Sequence, residues 1–219
     1  AARSDVILFL DDDDTLVADY AARVLAVAES ESVSFGFSAK TVVTQDVSKD
    51  IIRKRLHSGV IGPDVPLEFK TAAFSAGFWI RREVFQSVGQ IETDQVNDED
   101  TDLCCRLYGK GHRAWFDPTP GCVIYHDYET GDVTAPQLPR STEPAEMAAC
   151  YMRTYQRNEA YFGWTAPVRW FLLRRALRAA GNTGADAGAH ELLDGLRPVS
   201  RRMISWMFLQ MKWTGAKLR

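Results

Sequence analysis

The sequence predicts an α/β domain with a largely parallel sheet, followed by an all-helical tail. Three observations carry this. Apolar strand-like runs alternate with amphipathic segments from residue 5 to about residue 125. A polar, proline-bearing stretch, Asp127–Pro144, interrupts the pattern. Beyond it the remaining periodic segments repeat at helical spacing.

In order, Asp5–Leu10 reads as a buried strand through Val6-Ile7-Leu8-Phe9-Leu10. Leu16–Ala28 reads as a helix with Leu16, Tyr20, Val24 and Val27 on one face. Ser32–Val43 is a strand through Val33, Phe35 and Phe37, and Asp46–Leu56 is a short helix. A loop follows through Gly59, Gly62, Pro63 and Pro66. Thr71–Ile80 is extended and ends in a small-residue bend, Ser75-Ala76-Gly77. Arg81–Val88 is a helix closed by Gly89, and Asp100–Tyr108 a helix stopped at Gly109 and Gly111. Arg113–Phe116 and Cys122–Tyr125 are short strands separated by a turn, Asp117-Pro118-Thr119-Pro120-Gly121. The tail helices are Ala145–Phe162, Ala166–Ala180 and Pro198–Trp213. The expected organisation is a catalytic portion over 1–128, a linker over 129–144 and a basic helical region over 145–219.

With 46% hydrophobic residues the chain can furnish a sizeable core. Cys104, Cys105, Cys122 and Cys150 have neither zinc-ligand nor disulfide-framework spacing, so they read as buried free thiols of a reducing compartment. No apolar run reaches the roughly twenty residues that span a bilayer. The expected location is cytoplasmic, with association at the inner face of the membrane left open. Residues 1–149 carry 14 Lys/Arg against 25 Asp/Glu, a net −11, whereas 150–219 carry 12 against 4, a net +8. That asymmetry assigns the tail a separate role and disfavours nucleic acid as a partner of the acidic catalytic half.

The strongest chemical signal lies where the first strand ends, at Asp11-Asp12-Asp13-Asp14. A buried strand that delivers four carboxylates to one rim of a sheet creates repulsion that a hard divalent cation, Mg²⁺ or Mn²⁺, would relieve. The bland alternative is a solvated acidic loop. A second cluster, Asp98-Glu99-Asp100-Thr101-Asp102, favours the metal reading; on its own it would be an acidic helix N-terminus meeting the macrodipole. Carboxylates crowded this way should be harder to ionise, which suits a general base at Asp100.

Four motifs in order resemble the catalytic half of family-2 glycosyltransferases of GT-A fold: the strand ending in Asp11-Asp12-Asp13, the Phe74–Gly89 block, Glu99-Asp100-Thr101-Asp102-Leu103 with Arg106-Leu107, and Val123-Ile124-Tyr125-His126. The resemblance covers roughly residues 4 to 128. It implies an inverting, metal-dependent transfer of a sugar from a nucleotide-diphosphate donor to a hydroxyl of a saccharide or lipid-linked acceptor, in cell-envelope polysaccharide or glycolipid synthesis. It implies Asp13, Asp11 and His126 as metal ligands for Mn²⁺ or Mg²⁺, with Asp11 and Asp12 also facing donor. It implies Asp100 as the base, with Glu99 orienting the acceptor. Ser75, Ala76 and Gly77 would let the backbone approach substrate, and Trp79 could stack on a sugar. Their structural alternatives are a tight turn and a core Trp, and Arg81 and Arg82 could approach phosphates or simply start a helix. Departures from the family are Thr15-Leu16-Val17-Ala18-Asp19 where a proline is usual, and the lack, in these 219 residues, of the preceding βαβ units that hold the nucleotide. The expectation is therefore a fragment, or a donor site completed by another chain.

Two other readings remain. Leu10–Val17 also resembles the first motif of haloacid-dehalogenase-like phosphatases, with Asp11 as nucleophile, Asp13 as acid/base, Mg²⁺ between them, and Asp98 and Asp102 imitating a later acidic motif. The segments 169–178 and 201–213 mix Arg/Lys with large apolar residues. They would suit an anionic membrane surface, a second subunit, or packing within a helical subdomain, here attached to an inactive truncated transferase. Tyr155-Gln156-Arg157-Asn158 resembles a helical element that follows the catalytic domain in rhamnosyltransferase-like members of the same family.

Overall fold

A computed structural model describes residues 3–44, 47–125, 143–161 and 171–176. Contacts divide the chain into two units: Ala1–Asp94 with Glu99–Pro136, and Gln95–Asp98 with Gln137–Arg219.

The first unit is built on a seven-stranded sheet. Its strands are β1 (Val6–Leu8), β2 (Thr15–Leu16), β3 (Phe35–Thr44), β4 (Val47–Ile51), β5 (Gly59–Val60), β6 (Trp79–Arg81) and β7 (Ala114–Tyr125). The order is β1-β6-β3-β7-β2, with β4 paired to β3 and β5 to β7. Among the described residues only β3 and β7 run parallel; the other pairs are antiparallel. The expected largely parallel sheet is therefore corrected to a mixed one.

The helices are α1 (Tyr20–Ser30), α2 (Leu67–Lys70), α3 (Arg82–Ser87) and α4 (Glu99–Gly109). Phe35, Phe37, Phe78, Ile80, Leu103, Leu107 and Phe116 form the main core, each 0% exposed. Tyr20, Val24, Ala28, Val33 and Trp79 form a second cluster, which explains the periodicity of α1. All four cysteines are buried thiols, none of them in a disulfide.

Two further expectations fail for identifiable reasons. The segment read as a helix over Asp46–Leu56 contains β4, paired antiparallel with β3 from Lys40↔Ile51 to Thr44↔Val47. Every β4 residue is exposed, so no face alternates in polarity, and cross-strand contacts such as Thr41 Oγ1 donating to Asp50 Oδ1 at 2.7 Å hold it instead. The two short strands read around Asp117–Gly121 are one strand, β7, with register shifts opposite Ser38-Ala39-Lys40. Pro118 and Pro120 cannot donate to a ladder, so the strand bulges there rather than turning back. Arg23 clamps the bulge by pairing with Asp117 and donating to the Pro120 carbonyl at 2.7 Å.

In the second unit, α5 (Pro144–Asn158) runs into a 3₁₀ turn, Glu159–Tyr161, and residues 171–176 are helical. Tyr155 and Asn158 are buried, and Asn158 Nδ2 bonds the Thr154 carbonyl at 2.8 Å. Leu172, Leu173 and Ala176 are buried, so in this stretch the apolar face is consumed by packing rather than offered to a membrane. The segment 201–213 lies outside the described residues. Among the described residues no helix is long and apolar enough to cross a membrane.

Candidate functional site

Phe9 anchors the end of the first strand. Its ring stacks on Phe74 at 4.4 Å and meets Phe78 and Phe85 edge-on, while its N–H donates to the Phe78 carbonyl at 2.9 Å. The next apolar residue, Leu10, is already exposed, and the acid run turns immediately afterwards. The Asp14 N–H donates to the Asp11 carbonyl at 3.2 Å, closing a four-residue turn, and Thr15–Leu16 then joins β7.

This turn converges three of the four carboxylates. One ligand oxygen each from Asp11, Asp13 and Asp14 lies within 4.8 Å of the others. Asp11 and Asp13 are exposed, and Asp14 is buried. Burial, then the charges of Asp13 and Asp12, push the Asp11 carboxyl above its ordinary range. Burial, then Asp13 and Asp11, do the same to Asp14, opposed by a hydrogen bond from the Tyr125 backbone. A cluster that resists ionisation through mutual repulsion is one that a cation would relieve, and three hard oxygens in reach of one point suit Mg²⁺ or Mn²⁺. Asp14 is the addition to the expected ligand set. The signal was present in the run of four acids, because an i-to-i+3 turn brings its first and last residues together. Asp12, expected to face donor, is exposed at the turn and lies outside the converging trio. His126 lies outside the described residues.

The second acidic cluster separates into distinct roles. Asp102 and Arg106 form an ion pair at 2.9 Å, 1% and 4% exposed, and Arg106 Nη1 donates to the Val88 carbonyl at 2.6 Å. Asp98 pairs with Arg175 at 2.5 Å within the second unit. These pairings remove both residues from the phosphatase motif they were read as imitating. Glu99 and Asp100, both half-buried, open α4. Asp100 Oδ1 accepts from the Thr101 N–H at 2.5 Å. The Asp100 charge acts on Asp11 and on Arg53, so α4 brings it to the neighbourhood of the acid turn.

The small-residue bend is a 3₁₀ turn, Phe74–Ala76, ended by Gly77 in the left-handed region at φ 61°. Gly77 is buried, and a Cβ there would lie 2.8 Å from the Tyr20 ring and 2.9 Å from Ser38 Oγ. Internal packing thus accounts for this glycine. Ser75 accepts at its carbonyl from Cys122 Sγ at 2.8 Å, and Ala76 lines a cavity described below. Trp79 is corrected: it is 1% exposed within the second core cluster, which leaves no ring face for a sugar. Arg81 is likewise corrected, because its guanidinium bonds the carbonyls of Val33 and Ala28 at the end of α1. Arg82 forms an exposed pair with Asp5.

Basic residues missed by the sequence reading gather beside the acids. Lys40 on β3, with Arg53, Lys54 and Arg55 just beyond β4, lines a cavity of about 500 Å³ in the first unit. Lys40 is close enough to lower the Asp11 and Asp14 carboxyls, though both shift upward on balance. Arg53, Lys54 and Arg55 are consecutive, and the β3–β4 hairpin brings them beside Lys40, thirteen residues earlier.

No family model and no curated protein matches the chain. Solved structures do match its fold. S. aureus TarS in complex with UDP-GlcNAc superposes with a TM-score of 0.53 at 11% identity, over 91% of this chain and 54% of that one. TarS with UDP gives 0.52 at 9% identity, over 91% and 53%. A mannosyltransferase from Pyrobaculum calidifontis, in complex with GDP-Man and Mn²⁺, matches 99% of this chain and 56% of its own at 14% identity, with a TM-score of 0.47. The chain spans about half the length of the structures it matches. The mixed sheet and flanking helices have the GT-A fold of glycosyltransferases.

Proposed function

We propose that the chain is the catalytic portion of an inverting, divalent-metal-dependent glycosyltransferase using a nucleotide-sugar donor. The observation that carries this is the convergence of Asp11, Asp13 and Asp14 within 4.8 Å, at the end of a strand, in a GT-A fold. Asp11, Asp13 and Asp14 would hold Mn²⁺ or Mg²⁺, with His126 as a further ligand by family resemblance. Bound there, the ion would supply positive charge opposite the leaving diphosphate.

The residues divide the remaining work. In an in-line displacement the acceptor oxygen bonds the anomeric carbon as the bond from that carbon to the β-phosphate oxygen breaks. Asp100 takes the acceptor's hydroxyl proton, and the electron pair of the broken bond leaves with the nucleoside diphosphate. Glu99, on the same first turn of α4, orients the acceptor. Asp12 assists donor binding from the exposed side of the turn. Ser75 and Ala76 form part of the wall near the reacting groups. A saccharide or lipid-linked acceptor in cell-envelope synthesis fits this chemistry, and membrane or subunit contacts would fall to the tail.

Two measurements test the reading. Nucleotide-sugar turnover with Mn²⁺ should release nucleoside diphosphate and invert the anomeric configuration seen by NMR, and Asp100→Asn should abolish release. A covalent aspartyl-phosphate trapped on Asp11 would instead establish the phosphatase alternative.

A further inference from the structure

The cavity beside the acid turn is lined by four cationic side chains, Lys40, Arg53, Lys54 and Arg55, with Ala73 and Ala76 among its small wall residues and, among the described residues, no acid in its lining. Like charges collected around one concavity raise the local positive potential unless an anion enters. Among the described residues none of the four forms an ion pair. The Arg53 guanidinium lies over the Phe37 ring and donates to the Phe69 carbonyl at 3.1 Å; that of Arg55 lies 4.2 Å from the Phe69 ring centroid. Both are held by an aromatic face, with donor capacity left for a planar or tetrahedral oxyanion. Lys40 and Arg53 are each half-buried, and burial makes their charged forms less comfortable without a counter-ion.

We propose that this cavity binds a phosphate group carried by the acceptor, so that the acceptor is a phosphorylated molecule; this rests on the transferase reading above. Two features assign the phosphate to acceptor rather than donor. A donor diphosphate would be neutralised largely by a divalent ion on the acid turn, leaving three arginine and lysine side chains beyond β4 in excess. Asp100, the group that must reach the acceptor hydroxyl, exerts its charge on Arg53 as well as on Asp11, so the proposed base lies in reach of both sites.

Titration calorimetry with two probes tests this on the whole chain. Tripolyphosphate in EDTA should bind the unaltered protein, and a Lys54→Gln/Arg55→Gln variant should bind it at least tenfold more weakly. Asp13→Ala and a charge-matched control, Arg3→Gln/Lys110→Gln, should bind it no more weakly. UDP-GlcNAc and GDP-Man with Mn²⁺ form the second arm: binding should vanish in Asp13→Ala and persist in Lys54→Gln/Arg55→Gln. Undiminished tripolyphosphate binding in the cavity variant, or an equal loss in the control, overturns the site. Loss of nucleotide-sugar binding in the cavity variant overturns the acceptor assignment, because the cations would then serve the donor. If no form binds a nucleotide sugar while the tripolyphosphate pattern holds, the transferase reading fails and the phosphate site stands.

Discussion

Replacing Arg106 by methionine should destabilise the first unit by about 3–5 kcal/mol, since removing one partner of a buried ion pair leaves an uncompensated charge. The structure makes this a full-strength case. Asp102 is 1% exposed and Arg106 4%, so water cannot screen the carboxylate once its partner is gone. The Val88 carbonyl at the end of α3 loses its 2.6 Å donor as well. Set against a typical unfolding free energy of about 5–15 kcal/mol, this is a large fraction. Asp102→Leu/Arg106→Met should recover most of the loss, because no buried charge is then stranded. Urea unfolding of the three proteins, compared at constant m, measures both effects. A loss below about 1 kcal/mol in Arg106→Met, or a double variant as unstable as the single one, would refute the argument. Arg106 also ties α4, whose first turn carries Glu99 and Asp100, to the Val88 carbonyl, so Arg106→Met should impair turnover more than metal binding at the acid turn.

Other outcomes follow from the same geometry. The Asp11 and Asp14 carboxyls are raised above their ordinary value of 3.8, so the folded state holds protons more tightly than the unfolded state, and metal-free stability should fall as pH rises through the carboxylate range. Mn²⁺ binds the ionised form, so its stabilising shift in melting temperature should be larger at pH 7 than at pH 4.5; an equal shift would contradict this. Gly121→Ala should cost about 1–3 kcal/mol by thermal denaturation. The new Cβ would sit 2.4 Å from Ser38 Oγ and 2.5 Å from the Tyr20 ring, both inside the packed wall behind the site. Asp100→Asn should retain Mn²⁺-dependent donor binding while losing turnover, which calorimetry and diphosphate release report separately.

The legible part of this protein was local. An apolar run ending in four acids located the turn, and caps and glycines located α3 and α4 to within a residue or two. What the residues did not disclose was direction and partner. Runs such as Val6-Ile7-Leu8 bury equally well in parallel or antiparallel ladders, so a mixed sheet was read as largely parallel. Val47 and Ile51, the two ends of β4, are four residues apart, a spacing that also fits a helix, and the strand's exposure on both faces erased the alternation that marks a strand. The prolines of β7 look like a turn until Arg23, some ninety-four residues earlier, is seen holding the bulge. At the site, Asp11 and Asp13 were visible, but Asp14 needed the closed turn. Trp79 read either as a sugar-stacking residue or as a core Trp, and sequence could not decide because it carries no record of the Gly36 backbone, where a Cβ would lie 2.6 Å from the indole nitrogen. Lys40 and Arg53 became neighbours only through hairpin pairing.

The measurement closest to the central claim is calorimetric binding of a nucleotide-sugar panel in Mn²⁺ by this chain, Asp13→Ala and Asp14→Ala. The account predicts binding that disappears on chelation and is lost in Asp13→Ala and strongly weakened in Asp14→Ala. Donor binding that persists in EDTA, or that survives loss of both carboxylates, would contradict a metal-bridged donor at the Asp11–Asp14 turn.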